Sequence, residues 1–344
     1  MQILGGVFMR RIWFNHWFSQ AYHFMNNLKQ DDNNYLIASS VRENMVYKPI
    51  VDEYYMEPTF NTDEEYVDWC LGFCKIHKID VFYPRRNMDV ITMHADAFRA
   101  ADVKLILDTN METHALLQSK LASCKYMNEH NLCSAPKMIA ATTFSEFLSA
   151  YEELKKVYGS DARICMKRDN DEGAQSFKRI FDDDVEPMYG KDVYYTDVVS
   201  LFSADEDYAS NPYIVMPYMA DPEVSVDCLR TNDGFIAIPR YKESSRITRI
   251  DFDEELIAFA EKIDENLKIQ YPYNIQFRKL GDTWMFMEIN TRMAGGSFKA
   301  MAVGCDFATL ALKVAYGESI DITSLKRGFH NKCLGNIEGF VDLT

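Results

Sequence analysis

The chain has 344 residues, 47% of them hydrophobic and 26% charged, with a formal net charge of −15 and eight cysteines. That length allows two or three domains with a sizeable core, and the acidic balance excludes a protein whose affinity rests on nucleic-acid phosphates, which needs clustered Lys and Arg. No apolar stretch reaches bilayer-spanning length, and the opening "MQILGGVFMRRIWF" lacks the long apolar run and cleavage site of a signal peptide. The cysteines are scattered, with no Cys-x-x-Cys pair. Cys70 and Cys74 are spaced to share a helix face, but they read as reduced, buried thiols rather than a zinc site. The expectation is a cytoplasmic protein with no membrane and no nucleic-acid partner. Met9 offers an alternative start, which would make residues 1–8 an upstream extension.

Taken in chain order, "RIWF" (11–14) reads as a strand, followed by an amphipathic segment through Leu28 and a second strand "YLIAS" (35–39). "EEYVDWCLGFCKIH" (64–77) has helical spacing, "IDVFYP" (79–84) is a strand closed by proline, and "VKLIL" (103–107) is another. Strands alternating with helices imply an α/β layer with a parallel sheet over residues 9–111. No G-x-G-x-x-G follows the first strand, so dinucleotide binding has no support there.

A helical stretch over 112–131 leads, through a linker ending at 134, into a second compact unit over 135–219. Its expected elements are a strand at 137–141, a helix capped by Thr143 or Ser145 and running through Val157, and a strand "ARICMK" (162–167). Residues 182–211 are acidic and turn-rich and read as an insertion or mobile flap outside the core. Strands follow at 213–219, 223–230 and 235–242, the last two joined by the turn "TNDG". A helix over 253–268 precedes a second hairpin, "NIQFRKL" and "WMFMEIN", joined by Gly281 and Asp282 within a last region, 220–344.

That second hairpin carries unusual chemistry. Side chains alternate along a strand, so Glu288, Asn290 and Arg292 share a face if the chain stays extended. Pairing across the turn brings Gln276 toward Glu288 and Asn290, an all-oxygen set of one carboxylate and two carboxamides. Mg²⁺ prefers oxygen ligands and takes only one or two protein carboxylates beside phosphate oxygens. Arg292 is suited to hold a phosphate bidentately, and Gly295 and Gly296 let backbone N–H groups approach an anion. Taken alone, these residues are better read as a surface ion pair between Glu288 and Arg292. The histidines give little: His16 and His23 are spaced to share a face of the first helix without a third ligand. There is no Ser-His-Asp or Cys-His set.

"NIQFRKLGDTWMFMEINTRMAGG" resembles the metal-binding hairpin of ATP-grasp enzymes, with Thr291 in place of a usual proline. "RIWFNHWFS", "IDVFYP", "VMPYM", "EVSVDCL" and "IPRYK" together resemble the branch associated with tellurium-resistance operons, and the similarity runs from about Met9 onward. The resemblance implies α/β and α+β architecture: a Rossmann-like domain preceding a two-subdomain ATP-grasp fold, with the lid over 135–219 and the catalytic subdomain over 220–344. It implies ATP and Mg²⁺, or Mn²⁺, as cofactors, and metal ligation by Gln276, Glu288 and Asn290. Lys120 and Lys167 match the basic residues on the nucleotide phosphates, the strand-ending Lys167 expected to matter more than the helical Lys120. Gly173 is the single glycine of the phosphate flap, which Asp169, Asp171 and Glu172 make acidic, and Arg168 stands where relatives have proline. Met216 and Tyr218 would pack on adenine, Glu223 would accept from the ribose hydroxyls, and Arg240 and Arg292 would face the transferring phosphoryl group. Arg246 and Arg249 read as an exposed loop.

The implied activity is ATP-dependent ligation of a small-molecule carboxylate to an amine, or less often a thiol, through an acylphosphate. A homodimer is open to it, since dimers are common among relatives. Two other classes remain: a nucleotide-binding regulator without turnover, which the glycine-poor acidic flap would suit, and an α/β scaffold without a nucleotide site.

Overall fold

A computed structural model describes residues 2–4, 7–171, 175–181, 191–202, 207–325, 331–337, 339 and 341–343. By internal contacts the chain divides into two compact units. The first comprises Met1–His114, Ser225–Asn274 and Asn290–Thr344; the second comprises Ala115–Val224 and Ile275–Ile289.

In the first unit, strands Glu53–Met56, Asn34–Ser40, Val7–Asn15, Val81–Tyr83 and Lys104–Leu105 lie side by side in that order, all parallel, and Gln2–Leu4 folds back antiparallel on Val7–Asn15. The apolar runs that give the strands are buried on both faces, as a parallel sheet requires. Trp13 stacks on Phe82 with Phe73 and Trp69 beside it on one face, while Phe14 stacks on Tyr83 on the other. Helix Asp63–His77 is capped by Thr62, whose hydroxyl accepts from Glu65 N, and carries three acids in its first turn. It ends at Lys78, whose left-handed backbone (φ 51°) stops the helix. Strand Glu53–Met56 and the short helices Met88–Met93 and Ala95–Ala100 carry too few residues for periodicity to announce them.

The unit also contains antiparallel strands Gly234–Lys242, Ile247–Ile250 and Lys332–Gly335. Helix Glu254–Leu267 is capped by Asp253, and helix Phe307–Ala315 by Asp306. Leu229, Ile236, Ile238, Ala308 and Leu312 share one core with Phe14, Phe24 and Tyr83.

In the second unit, strands Asp192–Tyr194, Lys178–Phe181, Ile164–Arg168, Tyr213–Pro217 and Ile139–Ala141 form a five-stranded sheet. Helix Phe144–Tyr158, capped by Thr143 with Glu146 in its first turn, packs on one face. Ile164, Met166, Tyr213 and Val215 meet Phe147, Tyr151 and Leu154 there.

Three expectations need correction. The helical stretch 112–131 is two helices, Met111–Gln118 and Lys120–Glu129, because the Ser119 hydroxyl accepts from Ala122 N and starts a new helix. The described parts of 182–211 do not stand outside the core: Asp192–Tyr194 pairs parallel with Lys178–Phe181, and Val198 and Tyr208 are buried with Phe147 and Tyr213. Their irregular spacing hid this. His16 and His23 do not share a helix face, since His16 sits before the helix at φ 47° while His23 stacks on Phe298. All eight cysteines are free and seven are buried; burial pushes the Cys74 thiol up to about 12. Among the described residues no helix is long and apolar enough to cross a membrane.

Candidate functional site

In the second unit, alternation along Ile164–Arg168 divides its side chains. Ile164 and Met166 enter the core under helix Phe144–Tyr158, so Cys165 and Lys167 occupy the other face. Cys165 there joins Met216, Met219 and Met287, with Met138, Phe177, Tyr218, Leu280 and Met285 around them. This second cluster is rich in methionine, the side chain that adapts best to a flat, irregular surface. The neighbouring ladder from Ile139–Ala141 reaches Tyr213–Val215 and stops, while Met216 and Pro217 still pair with Cys165 and Ile164. From Met216 onward that edge therefore carries no paired strand among the described residues.

Lys167 is 8% exposed and Lys120 is 7% exposed. Their ammonium nitrogens lie 3.9 Å and 3.7 Å from the same oxygen of Glu288, Oε2. Lys120 Nζ also donates to the backbone carbonyls of Asp169 (3.0 Å) and Asp171 (2.9 Å). Burial lowers the Lys167 pKa and the neighbouring Lys120 lowers it further, while Glu288 opposes both. Two buried ammoniums thus share one Glu288 oxygen at loose distances. The Asp171 carboxylate also stands near both: burial works to raise its pKa, but its bonds from Ser176 and then both lysines bring it below the usual value. Lys120 is not the solvated helix lysine that its sequence position suggests.

Two of the flap acids, Asp169 and Asp171, have partners of their own. Asp169 accepts from Ser119 Oγ (2.6 Å) and Leu121 N (2.9 Å), at the start of helix Lys120–Glu129. Asp171 accepts from Ser176 N (2.7 Å) and Oγ (2.5 Å). Gly173 and Glu172 lie outside the described residues. Glu223 is held by Arg278 Nη2 at 3.0 Å, and Arg278 also reaches Asp221 (2.8 Å). Gln276 is half-buried on strand Tyr273–Leu280, and Glu288 sits two residues from the end of strand Thr283–Asn290.

In the first unit, Arg240 is 6% exposed and forms a bidentate pair with Asp227, itself 1% exposed; the Nη2–Oδ1 bond is 3.0 Å and Nε reaches Oδ2. Asp227 Oδ1 also accepts from Asn274 Nδ2 (3.1 Å) and Ser297 Oγ (2.7 Å). Gly296 is required here: a Cβ on it would stand 2.5 Å from Arg240 Nη1. Lys299 donates to Thr248 Oγ1 (2.6 Å), and its pKa is lowered by burial and then by Arg240 and Lys242. Asn290 and Arg292 are half-buried beyond the unit boundary at residue 290. Arg246 is exposed as expected of a loop, but Arg249 is not a loop residue: it lies on strand Ile247–Ile250, half-buried, pairs with Glu243 and Asp251 and covers Tyr241.

Sequence reasoning missed Asp227, Ser297 and the Cys165–Met219 patch. Only Asp227 carried a signal, as a lone acid inside the apolar run "EVSVDCLR". Among the described residues no group of three His, Cys, Asp or Glu side chains is placed to hold a metal.

This architecture is that of the ATP-grasp proteins, and the resemblance drawn from the hairpin motif is borne out. Residues 209–334 match the family described as ATP-grasp in the biosynthetic pathway with Ter operon. No curated protein matches the chain in sequence. Among solved structures it is similar to the biotin carboxylase β-γ-ATP complex from Campylobacter jejuni, with a TM-score of 0.70 at 15% identity over 94% of this chain and 74% of that one. It is also similar to N5-carboxyaminoimidazole synthetase from Staphylococcus aureus complexed with ADP, with a TM-score of 0.66 at 13% identity over 91% and 79%. A third is L-amino acid ligase from Bacillus licheniformis, with a TM-score of 0.64 at 12% identity over 94% and 77%. At these identities the likeness is one of fold.

Proposed function

We propose that the chain is an ATP- and Mg²⁺-dependent ligase that joins a carboxylate to an amine, or a thiol, through an acylphosphate. The observation that carries this is the pair of buried ammoniums on Lys120 and Lys167 sharing Glu288, on the sheet face where Cys165 joins the methionine-lined patch. A triphosphate would pair with the two ammoniums at closer range than Glu288 does, and Met216 and Tyr218 would pack on the base. Glu223 would accept from the ribose, with Arg278 keeping its carboxylate in place.

The proposed organisation is a domain over 9–111, a connecting helical stretch over 112–134, a lid over 135–219 and a catalytic region over 220–344. Gln276, Glu288 and Asn290 are the proposed metal ligands. Their donors are all oxygens with a single carboxylate, which fits Mg²⁺ or Mn²⁺ completed by phosphate oxygens. Bound there, the metal would neutralise charge on the transferring phosphoryl group. Arg240, held by Asp227, and Arg292 would supply fixed positive charge, and such preorganised charge needs no reorientation as the phosphoryl moves. No protein nucleophile is required: the substrate carboxylate attacks the γ-phosphorus, ADP leaves, and the acceptor then displaces phosphate.

The test is ADP release against Mg²⁺ concentration for wild type and Glu288→Gln, with amino acids and small peptides as acceptors. The variant keeps shape and hydrogen-bonding capacity but loses the only anionic ligand. Turnover should fall sharply, and stability should fall too, by up to about 3–5 kcal/mol, because two buried ammoniums lose their nearest carboxylate, so activity is compared well below the unfolding midpoint of both proteins. Full activity with unchanged Mg²⁺ dependence would remove this hairpin as the metal site. Nucleotide binding with no ADP release under any acceptor would instead mark a regulator.

A further inference from the structure

Asp169 is engaged at every polar atom it has. It is 8% exposed and stands one residue past strand Ile164–Arg168 in the second unit. Its N–H donates to Pro212 O (2.9 Å), and its carbonyl accepts from Lys120 Nζ (3.0 Å). Carboxylate oxygen Oδ1 accepts from Leu121 N (2.9 Å), and Oδ2 accepts from Ser119 Oγ (2.6 Å).

The carboxylate therefore grips the residues on either side of Lys120, while the carbonyl holds the ammonium of Lys120 itself. Asp169 also follows Lys167 by two residues. One residue thus ties the strand that carries one lysine to the helix start that carries the other. The two ammoniums end 3.7 Å and 3.9 Å from the same oxygen of Glu288. A carboxylate is favourable at a helix start, where the first N–H groups have no partner within the helix.

We propose that Asp169 is a positioning residue for the nucleotide site: it locks the helix start to the strand end, so that Lys120 and Lys167 converge where the phosphates bind. The proposal rests on the nucleotide site of the ligase reading above and adds a residue to it that never touches the ligand. A lysine loses rotamer freedom when it takes a phosphate, and one already held in place loses less. An acid is tolerated this close to the phosphates because donors of the helix start occupy both of its oxygens.

The test is calorimetric binding of MgATP to the whole chain, with an unfolding midpoint recorded for every variant. Ser119→Ala and Thr143→Ala each remove a helix-capping hydroxyl in the same unit, accepting at 3.0 Å and 3.2 Å, but of the two only Ser119 donates to Asp169. Ser119→Ala should weaken MgATP several-fold, while Thr143→Ala should leave it unchanged. Asp169→Ala should weaken it by about ten-fold. Asp169→Asn should keep most of the affinity, because its amide can accept from Leu121 N and donate to Ser119 Oγ. In a Lys120→Ala background Asp169→Ala should add little, since it acts through that lysine. Equal losses in Ser119→Ala and Thr143→Ala, or losses that add fully to that of Lys120→Ala, would overturn the proposal. Where Asp169→Ala fails to fold, the matched pair of cap variants decides alone. Unchanged affinity in both Lys120→Ala and Lys167→Ala would remove the nucleotide site and this proposal with it. A loss in those two with none in Ser119→Ala or Asp169→Ala would sink this proposal only.

Discussion

The two units each bury cations beside a carboxylate, and they do so in opposite ways. In the second unit Lys120 and Lys167 stand 3.7 Å and 3.9 Å from one oxygen of Glu288, beyond hydrogen-bond range, with the Asp171 carboxylate also near both. In the first unit Arg240 and Asp227 are matched one to one, bidentate, with Asn274 and Ser297 using the remaining acceptor capacity. Charge paired only loosely, at a distance, suits a site that can receive a ligand. Charge matched at contact suits a strut that must not move. Stability and binding should therefore separate between the two places.

The largest effect is expected at the strut. Asp227→Ala leaves a buried guanidinium unpaired and should cost about 3–5 kcal/mol, read as a fall in the midpoint of urea unfolding. A midpoint close to that of wild type would dissolve the contrast. At the receiving site the loss should appear in binding. Lys167→Ala removes one charge-assisted contact, worth about 1.5–3 kcal/mol, so MgATP affinity by calorimetry should drop about ten-fold or more with little loss of stability. Lys120→Ala should now match it, because both ammoniums are equally buried and converge on the same oxygen. Unchanged affinity in both variants would remove the nucleotide site from this unit.

Gly296→Ala sharpens the comparison without touching a charge. Its Cβ meets Arg240 Nη1, which Asp227 prevents from retreating. Overpacking of this kind should cost roughly 1–3 kcal/mol, and turnover should fall with it while MgATP affinity holds. The smallest effect is a pH dependence. The folded pKa of Lys167 lies below its unfolded value of 10.5. Between the two the unfolded chain binds more protons, so stability should rise with pH in that window. Lys167→Met should flatten the rise, measured as unfolding midpoints at stepped pH. A rise that persists unchanged in the variant would assign it to another group.

Much of the frame was legible before any coordinates. Thr143 before "FSEF" and Asp253 before "EELI" mark helix starts because their side chains have a local job, accepting from the first-turn N–H groups. The strands around Trp13, Ile37 and Phe82 show as apolar runs because both faces of the sheet are covered. Ser119 was a cap too, but it lies inside a continuous helical pattern, and periodicity gives no reason to break there. Val198 and Tyr208 were unreadable because irregular backbone imposes no spacing on the residues it buries.

The sequence by itself determined which residue types stand near one another along the chain: an acid, an amide and an arginine at alternate positions around the end of one strand, a second amide on the strand before it, and a glycine pair behind. Those are local facts, and alternation along a strand or a cap at a helix start follows from backbone geometry alone. What only the tertiary structure decided is which charges are matched. Asp227 and Arg240 are 13 residues apart, and Lys120 and Glu288 are 168 apart. Neither separation has a period that a sequence can display. Whether a buried lysine meets a carbonyl, a carboxylate or another lysine depends on long-range packing, and that choice separates a strut from a receiving site.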